Sequence, residues 1–250
     1  MENTLLRGDD IIVSKISYNF STPKRIPILD KKIPYIKIFE FGKPEINDLI
    51  IFDFPAKKLF DGTVIEDKFV KRIVAGPGDT LQIIAKDIFV NGKKINLPHS
   101  IISLKNDLRK KNEPEEGIFP PGKKWNRDFY GPLVIPKKGD TISVNPKNMK
   151  EWQNTIVLDH GDNNLREEGS VITLDNMPIR QYIFKHDHYF VIGDNMDISH
   201  DSRYFGLVNE QMIIGKVLFI YWSMDPEKIA DGPLGFLSGI RSNRMFRSVD

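Results

Sequence analysis

Cysteine is absent from the 250 residues. That rules out disulfides, a thiol nucleophile and any cysteine-ligated metal centre. A charge bias is also missing: 36 Lys and Arg stand against 34 Asp and Glu, a net of +2, and no long basic run occurs. This balance speaks against nucleic acid or an anionic surface as the partner. No window approaches the ~18 apolar residues that a membrane span needs, and the first residues do not read as a signal peptide. The chain as written is therefore expected to be soluble. Helical periodicity is scarce, and there is no internal repeat or low-complexity tract. At 40% hydrophobic and 28% charged, the composition is that of a globular protein with a sizeable core.

What is present is mostly strand signal. "DDIIVSKISY", "DLIIFDF", "KFVKRIVAG", "TLQIIAKDIFVNGKKI", "GPLVIPKKGDTISV" and "HYFVIGD" are short, rich in β-branched residues and bounded by Gly, Pro, Asn or Asp. Asn91-Gly92 between apolar flanks predicts a tight hairpin. Pro77-Gly78 occupies the central positions of a type II turn. "NPKNMKEWQNTIVLDHG" predicts one short helix. Residues 19–48, rich in Pro, Lys and aromatics, read as an extended arm. Its Phe20, Tyr35, Phe39 and Phe41, with Lys24, Arg25, Lys31 and Lys32, suit either a bilayer interface or packing on the core. The stretch 87–187 mixes polar loops with strands of its own and reads as a second lobe inserted into a β core formed by 1–86 and 188–250. The expected fold is mainly β: a twisted antiparallel catalytic core with a second β-rich lobe.

Two stretches concentrate chemistry. In "DKFVKRIVAGPGD", alternation puts Phe69, Lys71 and Ile73 on one face and Val70, Arg72 and Val74 on the other. An ordinary edge strand would let both cations reach water. Held among apolar neighbours instead, Lys71 loses solvation, its pKa falls, and a neutral amine becomes available as a general base. Arg72 cannot deprotonate and wants a carboxylate. The second stretch, "GDNMDISHDSRYFG" from Gly193 to Gly206, follows an apolar strand. Asp194, Asp197 and Asp201 miss the calcium-loop spacing. Ser199, His200 and Asp201 are consecutive, and neighbouring side chains diverge, so they do not form a triad. His186-Asp187-His188 has a metal-like i, i+2 spacing but reads as exposed strand ends.

These boxes, in this order, resemble the bacterial type I signal peptidases, membrane-anchored serine proteases. That family carries Ser-Met-x-Pro-Thr-Leu-x-x-Gly-Asp, then Lys-Arg before a Gly-x-Pro-Gly-Asp-like turn, then Gly-Asp-Asn-x-Asp-x-Ser-x-Asp-Ser-Arg-x-x-Gly. Here "KRIVAGPGD" carries the second box, and "GDNMDISHDSRYFG" meets every fixed position of the third. "MENTLLRGD" follows the first box from its Met onward, with Thr4 and Gly8-Asp9 in place and Asn3 where Pro is usual. The resemblance covers roughly 1–85 and 188–225.

It implies a Ser-Lys dyad with Lys71 as general base and Ser199 orienting its amine. Asp201 and Arg203 brace that loop, and Asp194 pairs with Arg72. Met1, Asp10, Ile11, Ile12 and Val13 line a groove that takes an extended signal peptide and favours Ala-x-Ala sites. No cofactor or metal is implied. The partners are secretory precursors at the outer face of the bacterial cytoplasmic membrane, reached through an anchor missing from this chain. The nucleophilic serine is expected just before Met1 and is absent here, so the chain as given is expected not to cleave. Ser14, Ser17 and Ser202 stand elsewhere. A start assigned at an internal Met, or a chain trimmed there, fits the intact Lys71 strand and acidic box better than a natural loss of the serine. A self-cleaving repressor would need a DNA-binding segment, and none is visible. A catalytically dead homologue that binds signal-peptide-like segments is the remaining rival.

Overall fold

The computed structural model describes residues 1, 4–21, 25–26, 31–32, 37–54, 57–58, 64–65, 68–98, 107–161, 164–228 and 232–249. The fold is mainly β, and its named strand pairs are antiparallel. A seven-stranded sheet is built from β1 (Asp9–Ser14), β2 (Leu49–Asp53), β3 (Lys68–Ala75), β8 (His188–Ile192), β9 (Val208–Asn209), β10 (Ile213–Ser223) and β11 (Arg247–Ser248). Its spatial order is β1-β10-β2-β3-β8-β9, with β11 also on β10. Four further strands, β4 (Thr80–Ile84), β5 (Asp87–Val90), β6 (Lys93–Lys94) and β7 (Phe129–Val134), form a second sheet ordered β6-β5-β4-β7.

Local chemistry sets these elements. Asn91 (φ 53°) and Gly92 (φ 77°) both take the left-handed backbone between β5 and β6, as a two-residue hairpin requires. Gly78 has φ 83°, and the Asp79 N–H closes on the Gly76 carbonyl at 3.1 Å, giving the turn expected of Pro77-Gly78. Alternation on β3 sorts its apolar residues. Phe69 and Ile73 join Ile50, Phe52, Val191 and Phe205 in one cluster. Val70 joins Met1, Leu5, Ile11, Val13 and Val249 in another. Each fully buried Phe or Ile of this kind contributes about 1.5–3 kcal/mol.

A third cluster joins the sheets: Val74, Ala75, Phe190 and Ile192 of the first pack against Leu81, Ile83, Ile88 and Leu133 of the second. Met196, from the acidic box, is buried in the same cluster. A boundary at residues 86 and 87 falls at the turn of the β4–β5 hairpin, whose register runs from Leu81–Val90 to Ile84–Asp87.

The expected helix is α1 (Met149–His160). It closes at Gly161, whose φ of 91° suits only glycine without strain. Met149, Ile156 and Val157 pack on Ile172, Tyr182 and Phe184. Beside it lie a three-stranded sheet (Leu165–Glu168, Val171–Leu174, Met177–Ile179) and the pair Thr141–Ser143 with Gln181–Ile183. Within the arm, Asn19–Ser21 pairs with Lys37–Glu40. Phe39 and Phe41 are exposed there. Lys24 and Tyr35 lie outside the described residues, as does Asn3 near the start.

Candidate active site

The centre forms where β8 ends and the acidic box turns back. β8 runs beside β3 only from Phe190 to Ile192, opposite Ala75 to Arg72. Past Ile192 the chain leaves the sheet, and Gly193, Asp194 and Ser199 settle over the middle of β3. Lys71, 8% exposed, donates from Nζ to Ser199 Oγ at 3.0 Å. Burial lowers its pKa from the ordinary 10.5, outweighing the opposing pull of Asp201; the Arg203 charge lowers it further, and Asp194 opposes. The outcome is an amine biased toward its neutral form, hydrogen-bonded to a hydroxyl.

Gly193 makes that contact possible. A Cβ there would stand 2.1 Å from Ser199 Oγ and 3.3 Å from Lys71 Nζ. The need is for space, not for an unusual backbone angle. Gly193 N–H also donates to Asp201 Oδ2 at 3.2 Å, so one glycine touches the amine, the hydroxyl and the carboxylate behind them.

Two buried ion pairs carry the site. Arg203 meets Asp201 through Nε to Oδ1 at 2.9 Å and Nη2 to Oδ2 at 2.8 Å. Burial alone would raise the Asp201 pKa, but the Arg203 guanidinium holds it below the usual carboxylate range, helped by the Lys71 charge and the Ser199 hydroxyl. Asp201 also caps α2 (Ser202–Phe205) by accepting the Arg203 N–H. The second pair is Arg72 with Asp194, Nε to Oδ1 and Nη2 to Oδ2, both 3.0 Å. Arg72 further donates to the Asn47 and Val249 carbonyls at 2.7 and 3.1 Å. Both arginines are 1% exposed, and the paired, forked geometry is what makes their burial tolerable.

The start of the chain docks on the second pair. The Thr4 hydroxyl donates to Asp194 Oδ2, and Asp194 N–H reaches Met1 Sδ at 3.3 Å. From the far end, Arg244 donates to the Thr4 carbonyl at 2.9 Å and to Asp9 Oδ2 at 2.6 Å. The structure thus brings Lys71, Ser199, Asp194, Asp201, Arg72, Arg203 and Met1 together. On β1, Ile11 and Val13 turn into the core with Met1, while Asp10 and Ile12 face outward. Neither Gly193 nor Arg244 stood out as a site residue in the sequence. The only signal for Gly193 was its place in the box; Arg244 had none, being 235 positions from Asp9.

Two sequence readings meet the structure differently. His200 stacks on Tyr204, with ring centroids 5.5 Å apart. Ser202 is buried and accepts the Val191 N–H at 3.0 Å. The exposed-strand-end reading of His186 and His188 is corrected: His188 is 1% exposed. Both rings surround Asp159 of α1, with His186 Nδ1 at 3.0 Å and His188 Nε2 at 3.5 Å. Asp159 also accepts from Tyr182 and two backbone N–H groups. Among the described residues no group of three or more His, Asp or Glu could hold a metal ion.

Set against known proteins, the chain falls in one family. The family described as signal peptidase, peptidase S26, matches residues 1–222, and the chain belongs to that family. It is 27% identical over 261 residues to the signal peptidase I of Buchnera aphidicola subsp. Acyrthosiphon pisum, covering 98% of this chain and 71% of that protein. It is 26% identical over 244 residues to the signal peptidase I of Pseudomonas aeruginosa, covering 93% of this chain and 65% of that one. A crystal structure of a signal peptidase I from Enterococcus faecalis V583 matches at a TM-score of 0.34 with 19% identity, over 70% of this chain and 97% of that chain.

Proposed function

We propose that the protein is a signal peptidase I, a serine endopeptidase that removes signal peptides from secreted precursors after Ala-x-Ala-like sites. The single observation that supports this most is the buried Lys71 amine on the Ser199 hydroxyl, beside the docked start of the chain. In this reading the nucleophile is a serine immediately before Met1. Neutral Lys71 Nζ takes its hydroxyl proton while Oγ attacks the peptide carbonyl. The ammonium then returns that proton to the departing amine, leaving an acyl-enzyme. Water, deprotonated by the same amine, attacks the ester carbonyl and frees the serine. Ser199 orients the amine, Asp201 and Arg203 brace its loop, and Arg72 with Asp194 holds Met1 and Thr4. No cofactor or metal takes part.

The groove belongs to the same proposal. Among the described residues β1 sits at the edge of its sheet, paired only with β10. The Lys68–Lys71 end of β3 has no β8 residue beside it. An extended peptide can add its backbone there, with Met1, Asp10, Ile11, Ile12 and Val13 forming the wall. We assign 1–86 and 188–250 to the catalytic core and 87–187 to an inserted lobe built onto β4. Among the described residues no helix is long and apolar enough to cross a membrane. Anchoring to the cytoplasmic membrane, with the site on its outer face, is part of the proposal.

The test is cleavage of a synthetic signal peptide, read by mass spectrometry, using the chain extended by the upstream residues with serine before Met1. The expected result is one cut after Ala-x-Ala, abolished by Lys71→Ala. Binding without cleavage by the extended chain would instead favour the dead-homologue reading.

A further inference from the structure

We propose that Lys86 is a positioning residue for the Lys71–Ser199 pair, acting from the second sheet through Asp197. The role rests on the reading of Lys71 as the general base.

A lysine in a hairpin turn normally projects into water. Lys86, between β4 and β5, does not: it is 5% exposed, with its backbone in the left-handed region at φ 67°. Its Nζ lies 2.6 Å from Asp197 Oδ1 and 3.9 Å from Asp128 Oδ1. Its own N–H donates to the Asp128 carbonyl at 3.1 Å, so the turn is fixed before the side chain reaches across. A buried ammonium is tolerated only when paired, and the carboxylate it meets most closely belongs to the acidic box, two residues before Ser199.

Ile198, just before Ser199, is 72% exposed, and His200, just after it, stacks on Tyr204. The loop is also gripped two residues away on each side. On the far side Asp201 is locked by Arg203. On the near side Asp197 is held by Lys86 through its carboxylate and by Arg127 Nη1 through its carbonyl at 2.9 Å. Arg127 in turn pairs with Glu115 at 2.9 Å, and Arg203 Nη2 holds the Met196 carbonyl at 2.6 Å. Releasing Asp197 frees one end of a short span whose middle residue must keep its oxygen 3.0 Å from Lys71 Nζ. Water then reaches the amine, and part of the desolvation that lowers its pKa is lost.

The test titrates the Lys71 amine by NMR in the 15N-lysine-labelled chain, with Lys71→Met to assign the signal. Lys86→Met is expected to move that titration up by about one pH unit, and Lys86→Arg to leave it in place. Asp197→Asn, which keeps the side-chain size, is expected to reproduce the Lys86→Met shift, and it decides the matter if Lys86→Met does not fold. A folded Lys86→Met or Asp197→Asn chain with an unmoved Lys71 titration overturns the proposal. The readout requires no peptide cleavage. An extended chain that shows the shift but does not cut signal peptide would therefore sink the peptidase reading and leave the positioning role standing.

Discussion

Lys71 sits where a cation is least comfortable, and two consequences follow for single residues. Its folded pKa is lowered from 10.5, so below 10.5 the unfolded chain holds a proton that the folded chain resists. Stability is therefore lost as pH falls from 10.5 toward the folded value. Lys71→Met should raise the melting temperature at neutral pH, with the gain shrinking as pH approaches 10.5; calorimetry across that range checks it. Gly193→Ala has the opposite character. Its Cβ would stand 2.8 Å from Ser199 Cβ, so the hydroxyl must leave the amine. Peptide cleavage by the extended chain should fall by about 100-fold or more, the scale of a lost general base. The buried setting of Lys71 was legible because a strand alternates and a lysine between Phe69 and Ile73 loses water among apolar neighbours. The need for glycine at 193 was not, because the constraint is a distance to Ser199, six residues on, and no local rule encodes it.

At the scale of elements, turns and strands read well where chemistry is local. Asn91-Gly92 and Pro77-Gly78 declare their backbone angles, and β3, β4 and β8 declare their period. Contacts between elements did not read. His186 and His188 looked like exposed strand ends because their carboxylate, Asp159, sits on α1, 27 residues or more away. That clasp is sensitive to acid. Burial lowers the His188 pKa to about 4 although Asp159 lies 3.5 Å away. The folded state thus resists a proton that the unfolded chain accepts below about 6.5, and stability is lost between pH 6.5 and 4. The loss attributable to His188 is about 3 kcal/mol. Urea midpoints for His188→Phe should fall much less over that range. Asp194→Ala strands a buried arginine, Arg72, and should cost about 3–5 kcal/mol, measured by the same denaturation.

Over the whole molecule, the two ends of the chain share one site. Arg244 grips Asp9 and the Thr4 carbonyl, and the Val249 carbonyl accepts from Arg72. Removing residues 241–250 should loosen Thr4–Asp9 and speed tryptic cutting after the exposed Arg7, followed by mass spectrometry. None of this was visible in sequence order, since the partners lie at opposite ends of the chain. All of it converges on one amine, and its titration is the most direct test of the account. Measured by NMR in the unsubstituted chain, the Lys71 midpoint should lie clearly below 10.5. A midpoint at or above 10.5 would mean a fully charged amine at working pH, and Lys71 could not serve as the base.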